Sequence, residues 1–242
     1  MALHGHNLFF ASRVENHVAY LDREESRHAT SVLRLSSGDP IQITDGRGAV
    51  YECRIKPGSS GALCAEIIST KQVPKPRCPV SIFVGMGYRE RFEELAENCA
   101  ALGADRIVPL VCRFCQKPWW SEWERHAQRI NKKMVAGIKQ SCNPWLPQCP
   151  EPTLFEDAVS KQEPSFVIAA DASGSWCVDI FDKIKQSPAV SCFVGPPGGF
   201  SPQELDMLEK KGAAFVSLSA NRLRTELAAV LLCGVIKTAA SG

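Results

Sequence analysis

Val194-Gly195-Pro196-Pro197-Gly198-Gly199-Phe200-Ser201-Pro202-Gln203-Glu204 decides how this chain folds. The apolar run before it, residues 189–194, reads as a buried strand. Its final residues start a helix. Ser201 is placed to cap it, Pro202 suits the first helical position, and Glu204, three residues after Ser201, completes a capping box. Gly198 and Gly199 permit backbone angles closed to other residues and let a ligand approach the main chain. A second junction of the same kind is Leu218-Ser219-Ala220-Asn221-Arg222-Leu223-Arg224-Thr225-Glu226. It comes after a strand-like run at 215–218 and opens onto residues 225–238, apolar almost all round and so read as a buried helix. Two strand-to-helix loops, one rich in glycine and one in arginine, predict a ligand crevice at the carboxyl end of a parallel sheet in an α/β fold. Gly-Pro-Pro-Gly-Gly by itself is also an ordinary rigid turn. It lacks the spacing of the dinucleotide fingerprint, and no Gly-Lys-Ser/Thr comes after it to make a phosphate-binding loop.

Upstream, the pattern from residue 80 onward alternates strands with helices, the rhythm of a largely parallel sheet. Strands are predicted at 80–84, 107–111 and 166–170, and helices at 90–102, closed by Gly103, and at 123–141. The second helix turns Trp123, Ala127, Ile130, Met134 and Ile138 inward, leaving Arg125, Arg129, Lys132 and Lys133 as a solvated face or the wall of an RNA groove. Asp171, at the end of the 166–170 strand, either meets a cofactor or caps a helix after it. Residues 73–79 carry three prolines and read as a stiff linker. Before them the signals are short strands and turns: a strand at 40–44, a hairpin turn at 45–48, strands at 50–55 and 63–68 around a second turn at 57–61, and a short helix within 26–35 with Arg27 and Arg34 on one face. The organisation expected is a β domain over 1–72, the linker over 73–79 and an α/β domain over 80–242.

Composition narrows the class. The 242 residues are long enough for two domains, and the net charge is only +2. Bulk attraction to nucleic acid is therefore excluded, while a local cluster including Arg13, Arg27 and Arg34 in the first quarter fits one structured RNA site or an ordinary solvated surface. Eleven cysteines without a secretory signal read as free thiols in a reducing cytosol. Cys112 and Cys115 form the one close pair, without the second pair that a zinc site needs, so no metal is expected. His4 and His6 read as part of a loose tip.

The two loops resemble the signatures of the ribosomal RNA small-subunit methyltransferase E family, in the SPOUT class, whose patterns are Gly-Pro-Glu-Gly-Gly-Phe-Ser and roughly Leu-Gly-x-x-Ile-Leu-Arg-Thr-Glu-Thr-Ala. The likeness extends in the family's order through His28 to Asp39, Ala101-Leu102-Gly103-Ala104 with Arg106-Ile107-Val108-Pro109-Leu110, Gln140-Ser141 and Pro147. Pro197, Ser219, Arg222 and Leu227 depart from the pattern, while Arg224, Thr225 and Glu226 keep it. The resemblance implies a small PUA-like β-barrel, then a SPOUT-type trefoil-knotted methyltransferase domain, acting as a cytoplasmic homodimer. It implies S-adenosyl-L-methionine as cofactor and N3 of a uridine in small-subunit ribosomal RNA as the methyl acceptor.

The same likeness implies the site residues. Val194, Gly195, Pro196, Gly198 and Gly199 from the first loop, Leu218, Ser219, Leu223 and Thr225 from the second, and Asp171 are expected to hold the cofactor. Arg224 is expected to steady negative charge developing on the uracil oxygens. Glu226 is placed to accept the N3 proton, to hold Arg224, or to sit as an acidic first-turn residue of the last helix. Arg13, Arg27 and Arg34 are expected to bind RNA. Two other readings compete. A non-catalytic RNA-binding relative is favoured by the departures at Pro197, Ser219 and Leu227, while a nucleotide-dependent oxidoreductase predicts a glycine fingerprint after the first strand, of which Gly85-Met86-Gly87 carries only the first two glycines.

Overall fold

The computed structural model describes residues 8–58, 62–115, 118–161 and 163–241. His4 and His6, and residues 59–61 of the second turn, lie outside the described residues. The chain forms two compact units, the first made of Met1–Lys75 with Ile138–Leu146, the second of Pro76–Gly137 with Pro147–Gly242.

The first unit is a closed barrel of β1 (Leu8–Glu15), β2 (Val18–Leu21), β3 (Pro40–Thr44), β4 (Ala49–Pro57) and β5 (Leu63–Gln72), in the order β1-β2-β5-β4-β3. Parallel pairing of β1 with β3 closes the ring and leaves no free edge. Alternating residues fill it: Phe9, Leu21, Ile41, Ile43, Cys53, Ile55 and Ala65 are all buried. The turn between β3 and β4 is where expected, with Gly46 and Gly48 at positive φ. A Cβ at Gly48 would run into the Trp145 ring. The short helix starts earlier than the pattern indicates. Asp22 caps α1 (Arg23–Arg27) by accepting from the Glu25 amide at 2.8 Å, and the backbone then widens into a π-helical stretch at His28–Val32. That stretch is over before Arg34, whose φ is 56°, so Arg27 and Arg34 do not share a helix face. Glu25, a buried acid, accepts from the Phe10 amide and pairs with Lys139.

The second unit is a six-stranded sheet in the order β11-β9-β10-β6-β7-β8, parallel at every pairing. Its strands are β6 (Val80–Gly85), β7 (Arg106–Val111), β8 (Thr153–Leu154), β9 (Phe166–Trp176), β10 (Val190–Val194) and β11 (Ala214–Ser217). Its helices are α2 (Arg89–Ala101), α3 (Trp123–Gln140, whose last residues belong to the first unit), α4 (Phe155–Ser160), α5 (Phe181–Gln186), α6 (Pro202–Lys210) and α7 (Thr225–Ser241). The central strands carry apolar residues on both faces, as strands covered on both sides must. Phe83 and Phe193 stack at 4.6 Å on the face that holds Phe155 and Leu208. Cys192, which alternates with Phe193 and so points to the other face, is fully buried, as are Cys99 of α2 and Cys233 of α7.

One expectation needs correction here. The strand predicted at 166–170 continues to Trp176, because β11 supplies it with a second partner. The register jumps from Phe215 opposite Ala169 to Val216 opposite Ser175, so residues 170–174 bulge. Asp171 therefore has no helix directly after it to cap. The basic face of α3 is exposed at Arg125, Arg129 and Lys132, as a solvated face is, and two of its cations are paired across to α2. Arg129 pairs with Glu93 at 2.7 Å and Lys133 with Glu97 at 2.8 Å, both on α2.

Candidate active site

The carboxyl ends of the central strands give the hollow its floor. β10 ends at Val194 and releases the glycine-rich loop. α6 then starts with the expected box: Ser201 accepts from the Glu204 amide, and Glu204 accepts from the Ser201 amide at 2.7 Å. The other carboxylate oxygen of Glu204 accepts from the Arg113 amide at 2.8 Å, fixing α6 to the turn after β7. The loop turns at Gly199, whose φ is 76°, and Gly199 donates back to the Pro196 carbonyl at 2.8 Å. Gly85, at the end of β6, lies against this loop so closely that a Cβ there would collide with Pro196.

The second loop leaves β11 and enters α7 at Thr225. Its hydroxyl donates to the Gly195 carbonyl at 3.0 Å, joining the two loops directly. Between them lies a hollow of about 820 Å³. Val194, Gly195, Pro196 and Gly199 line it from the first loop, and Leu223, Arg224, Thr225 and Glu226 from the second, with Asp171 at its edge. The β9 bulge puts Asp171 there, with its carboxylate accepting from the amide and hydroxyl of Ser173 at 2.8 and 2.6 Å. Pro197 and Arg222 also line the hollow without filling it.

Three of the expected cofactor residues stand elsewhere. Gly198 lies under Phe114, where a Cβ would come within 2.9 Å of the Phe114 Cβ. Leu218 and Ser219 border a smaller hollow of about 130 Å³, which shares Asp171, Arg222 and Leu223 with the larger one. The expected catalytic pair also divides. Arg224 is exposed and makes no ion pair among the described residues. Glu226 is mostly covered and faces Arg91 of α2, Nε to Oε1 at 3.6 Å.

Sequence reasoning missed the wall formed by the start of α2: Tyr88, Glu90 and Arg91. These residues come directly after β6, a central strand ending beside the glycine-rich loop, and that adjacency was the signal available. Arg89 donates to Glu90 at 2.8 Å and holds its carboxyl below the usual carboxylate range. Among the described residues there is no cluster of metal-ligating side chains. Cys112 and Cys115 share one turn, with the Cys112 amide donating to the Cys115 sulfur at 3.1 Å. The expected RNA-binding arginines are exposed on the first unit, and Arg13 also lies 4.4 Å over the Tyr20 ring and 3.4 Å from Glu15.

A family model described as the RNA methyltransferase domain matches residues 74–237, and one described as the RNA methyltransferase PUA domain matches residues 21–68. The chain is similar to the ribosomal RNA small subunit methyltransferase E of Mycobacterium bovis, 27% identical over 90% of this chain and 86% of that protein. The protein of the same name from Aquifex aeolicus is 21% identical over 95% of this chain and 98% of its own. Among solved structures, the ribosomal RNA small subunit methyltransferase E of Neisseria gonorrhoeae, bound to S-adenosyl methionine, superposes with a TM-score of 0.83 at 21% identity, covering 97% of this chain and 98% of that one. A Legionella pneumophila protein solved with SAM bound superposes at 0.86, also at 21% identity, with 97% and 98% covered. These likenesses give the fold, a PUA-like barrel with a SPOUT-type knotted α/β domain. With the family match running over more than half its length and across both loops that make the hollow, the chain belongs to the RNA methyltransferase family.

Proposed function

We propose that this protein transfers a methyl group from S-adenosyl-L-methionine to N3 of a uridine in small-subunit ribosomal RNA. The observation that carries the reading is the Thr225–Gly195 hydrogen bond, which brings both loops to one open hollow with Arg224 at its mouth. The residues present fit the cofactor. Val194, Pro196 and Leu223 offer apolar walls for an adenosine, and the loop from Gly195 to Gly199 offers main-chain groups. The carboxylates of Asp171 and Glu226 suit a cationic ligand. When bound, the cofactor supplies an electrophilic methyl on a sulfonium. The open hollow supports this reading over that of a relative that has lost methyl transfer, since neither Pro197 nor Arg222 blocks it.

The remaining work is positioning and charge stabilisation. Uracil N3 must give up its weakly acidic proton, which passes to water in the open hollow, and the charge left spreads over O2 and O4. The unpaired Arg224 guanidinium is free to meet that charge where it develops. Glu226, engaged by Arg91, anchors the start of α2 to the start of α7 and gives Arg224 a fixed platform. The barrel of the first unit, with the exposed arginines Arg13, Arg27 and Arg34, positions the RNA through phosphate contacts, which set register and carry no sequence information. The protein works in the cytoplasm as a homodimer paired through α7. Among the described residues no helix is long and apolar enough to cross a membrane.

Mass mapping of small-subunit RNA from cells lacking the protein is the test. The expected result is loss of one methyluridine, restored by the intact chain and not by Arg224→Ala. An unchanged modification profile would overturn the proposal.

A further inference from the structure

We propose that Tyr88 is the stacking surface for the acceptor base, so that an unpaired pyrimidine of the RNA lies face-on against its ring at the mouth of the hollow. This inference rests on the methyltransferase reading above and names a residue by which the site grips its substrate. Tyr88 occupies the N-cap of α2 with extended backbone angles (φ −73°, ψ 139°) and gives the helix no side-chain cap. That position favours Ser, Thr, Asp or Asn, whose oxygens satisfy the first free amides. A tyrosine there brings the helix no such benefit, and its side chain is spent elsewhere. It is 48% exposed and lines the hollow.

The backbone that carries the ring is held from both sides. The Trp119 indole donates to the Gly87 carbonyl at 2.9 Å, immediately before Tyr88. Trp119 is itself set among Phe92, Trp123 and His126, with ring centroids 6.0, 6.1 and 5.6 Å away. On the other side Gly87 abuts the glycine-rich loop, where a Cβ would stand 2.9 Å from Pro197 Cγ. The turn carrying Tyr88 is therefore held between an aromatic cluster and the loop that lines the hollow.

The surrounding chemistry suits a nucleobase. Arg91 and Arg224 share the hollow with Tyr88. Aromatic faces beside guanidinium groups are how proteins hold unstacked bases of single-stranded RNA. A base presented for chemistry must leave its helical stack, and a waiting ring offsets part of that loss. The hollow lies toward the upper end of the range of about 300–1,000 Å³ for small-ligand sites, which leaves room for a base beside a cofactor.

The test uses the full chain, isotopically labelled S-adenosyl-L-methionine and small-subunit RNA from cells lacking the protein. Tyr88→Ala is expected to lower kcat/KM for RNA by about 10- to 100-fold, while Tyr88→Phe and Tyr88→Trp stay within about threefold of the parent. Calorimetric affinity for the methyl donor is expected to be the same in all four proteins. If the parent methylates RNA and Tyr88→Ala does so equally well, or if Tyr88→Ala loses donor affinity in proportion to activity, the stacking role is overturned and the enzyme reading stands. If the parent binds the donor and transfers no methyl to RNA, both fall together.

Discussion

Arg224 and Glu226 leave the same turn of chain with different surroundings, one open to the hollow and the other held by Arg91. Removing the Arg224 charge touches no buried packing. Arg224→Ala is therefore expected to lower kcat by about 10²–10³-fold, as loss of one charge-stabilising donor does elsewhere, with donor affinity and Tm unchanged; a normal kcat would remove Arg224 from the mechanism. Glu226→Gln separates anchor from base. As an anchor it lowers kcat at every pH without altering the shape of the pH–rate profile, whereas loss of the acid limb would make Glu226 the base after all. The Arg-Thr-Glu run was legible in sequence, but its partner Arg91 was not, because it lies on another helix and only the fold brings the two together. The cysteines show the same limit. Their freedom was readable from composition, and their reactivity was not. A hydrogen bond from Cys112 lowers the pKa of Cys115 and raises that of Cys112, while burial pushes Cys53 and Cys149 each up to about 12. Since the thiolate is the nucleophile, limited alkylation at neutral pH is expected to label Cys115 ahead of Cys112, Cys53 and Cys149, as read by peptide mass mapping. Labelling of Cys53 first would contradict this order.

At the scale of elements, the clearest local signal was the start of α6, and its capping box is present. The same carboxylate also has a non-local bond that no spacing announces, to the Arg113 amide in the turn after β7. Glu204 and Ser201 are buried, so truncating Glu204 strands the Ser201 amide away from water, while the amide of the exposed Arg113 can turn to solvent. Glu204→Ala is expected to cost about 1–3 kcal/mol, the penalty for one buried unsatisfied donor. Glu204→Gln, which keeps an acceptor oxygen, is expected to cost less than half of that in a denaturant titration. Equal losses in the two variants would mean that charge rather than hydrogen bonding holds the loop. Strand ends were the least legible elements. β9 outruns its apolar core, because its final residues are kept extended by pairing with β11 and not by burial of their own side chains. The bulge between its two halves is what delivers Asp171 to the hollow. The basic stripe of α3 meets a related limit: spacing shows which residues share a solvated face, not that α2 presents Glu93 and Glu97 to Arg129 and Lys133.

For the whole molecule, a net charge of +2 means that any RNA affinity must come from local arginines. Replacing Arg13, Arg27 and Arg34 together by alanine is expected to reduce the slope of log K against log salt by roughly 2, at about 0.7 per lost phosphate contact on a single strand. An unchanged slope would take RNA off that surface. The remaining question of assembly turns on α7. Its inner side buries Ala229, Leu232, Cys233 and Ile236, while Leu227 and Leu231, one turn apart, stand 53% and 37% exposed. Leu102 at the end of α2, 40% exposed, lies beside Gly234 and prolongs the same apolar strip. Contiguous apolar surface of this kind ordinarily meets a partner, and a two-fold pairing of the strip with itself would cover it without a different protein. The double variant Leu227→Glu/Leu231→Glu places like charges at the centre of such a contact and leaves the buried side of α7 alone. In analytical ultracentrifugation the parent is expected to sediment as a dimer and the variant as a monomer with the same circular dichroism; a variant that stays dimeric would move the interface off α7.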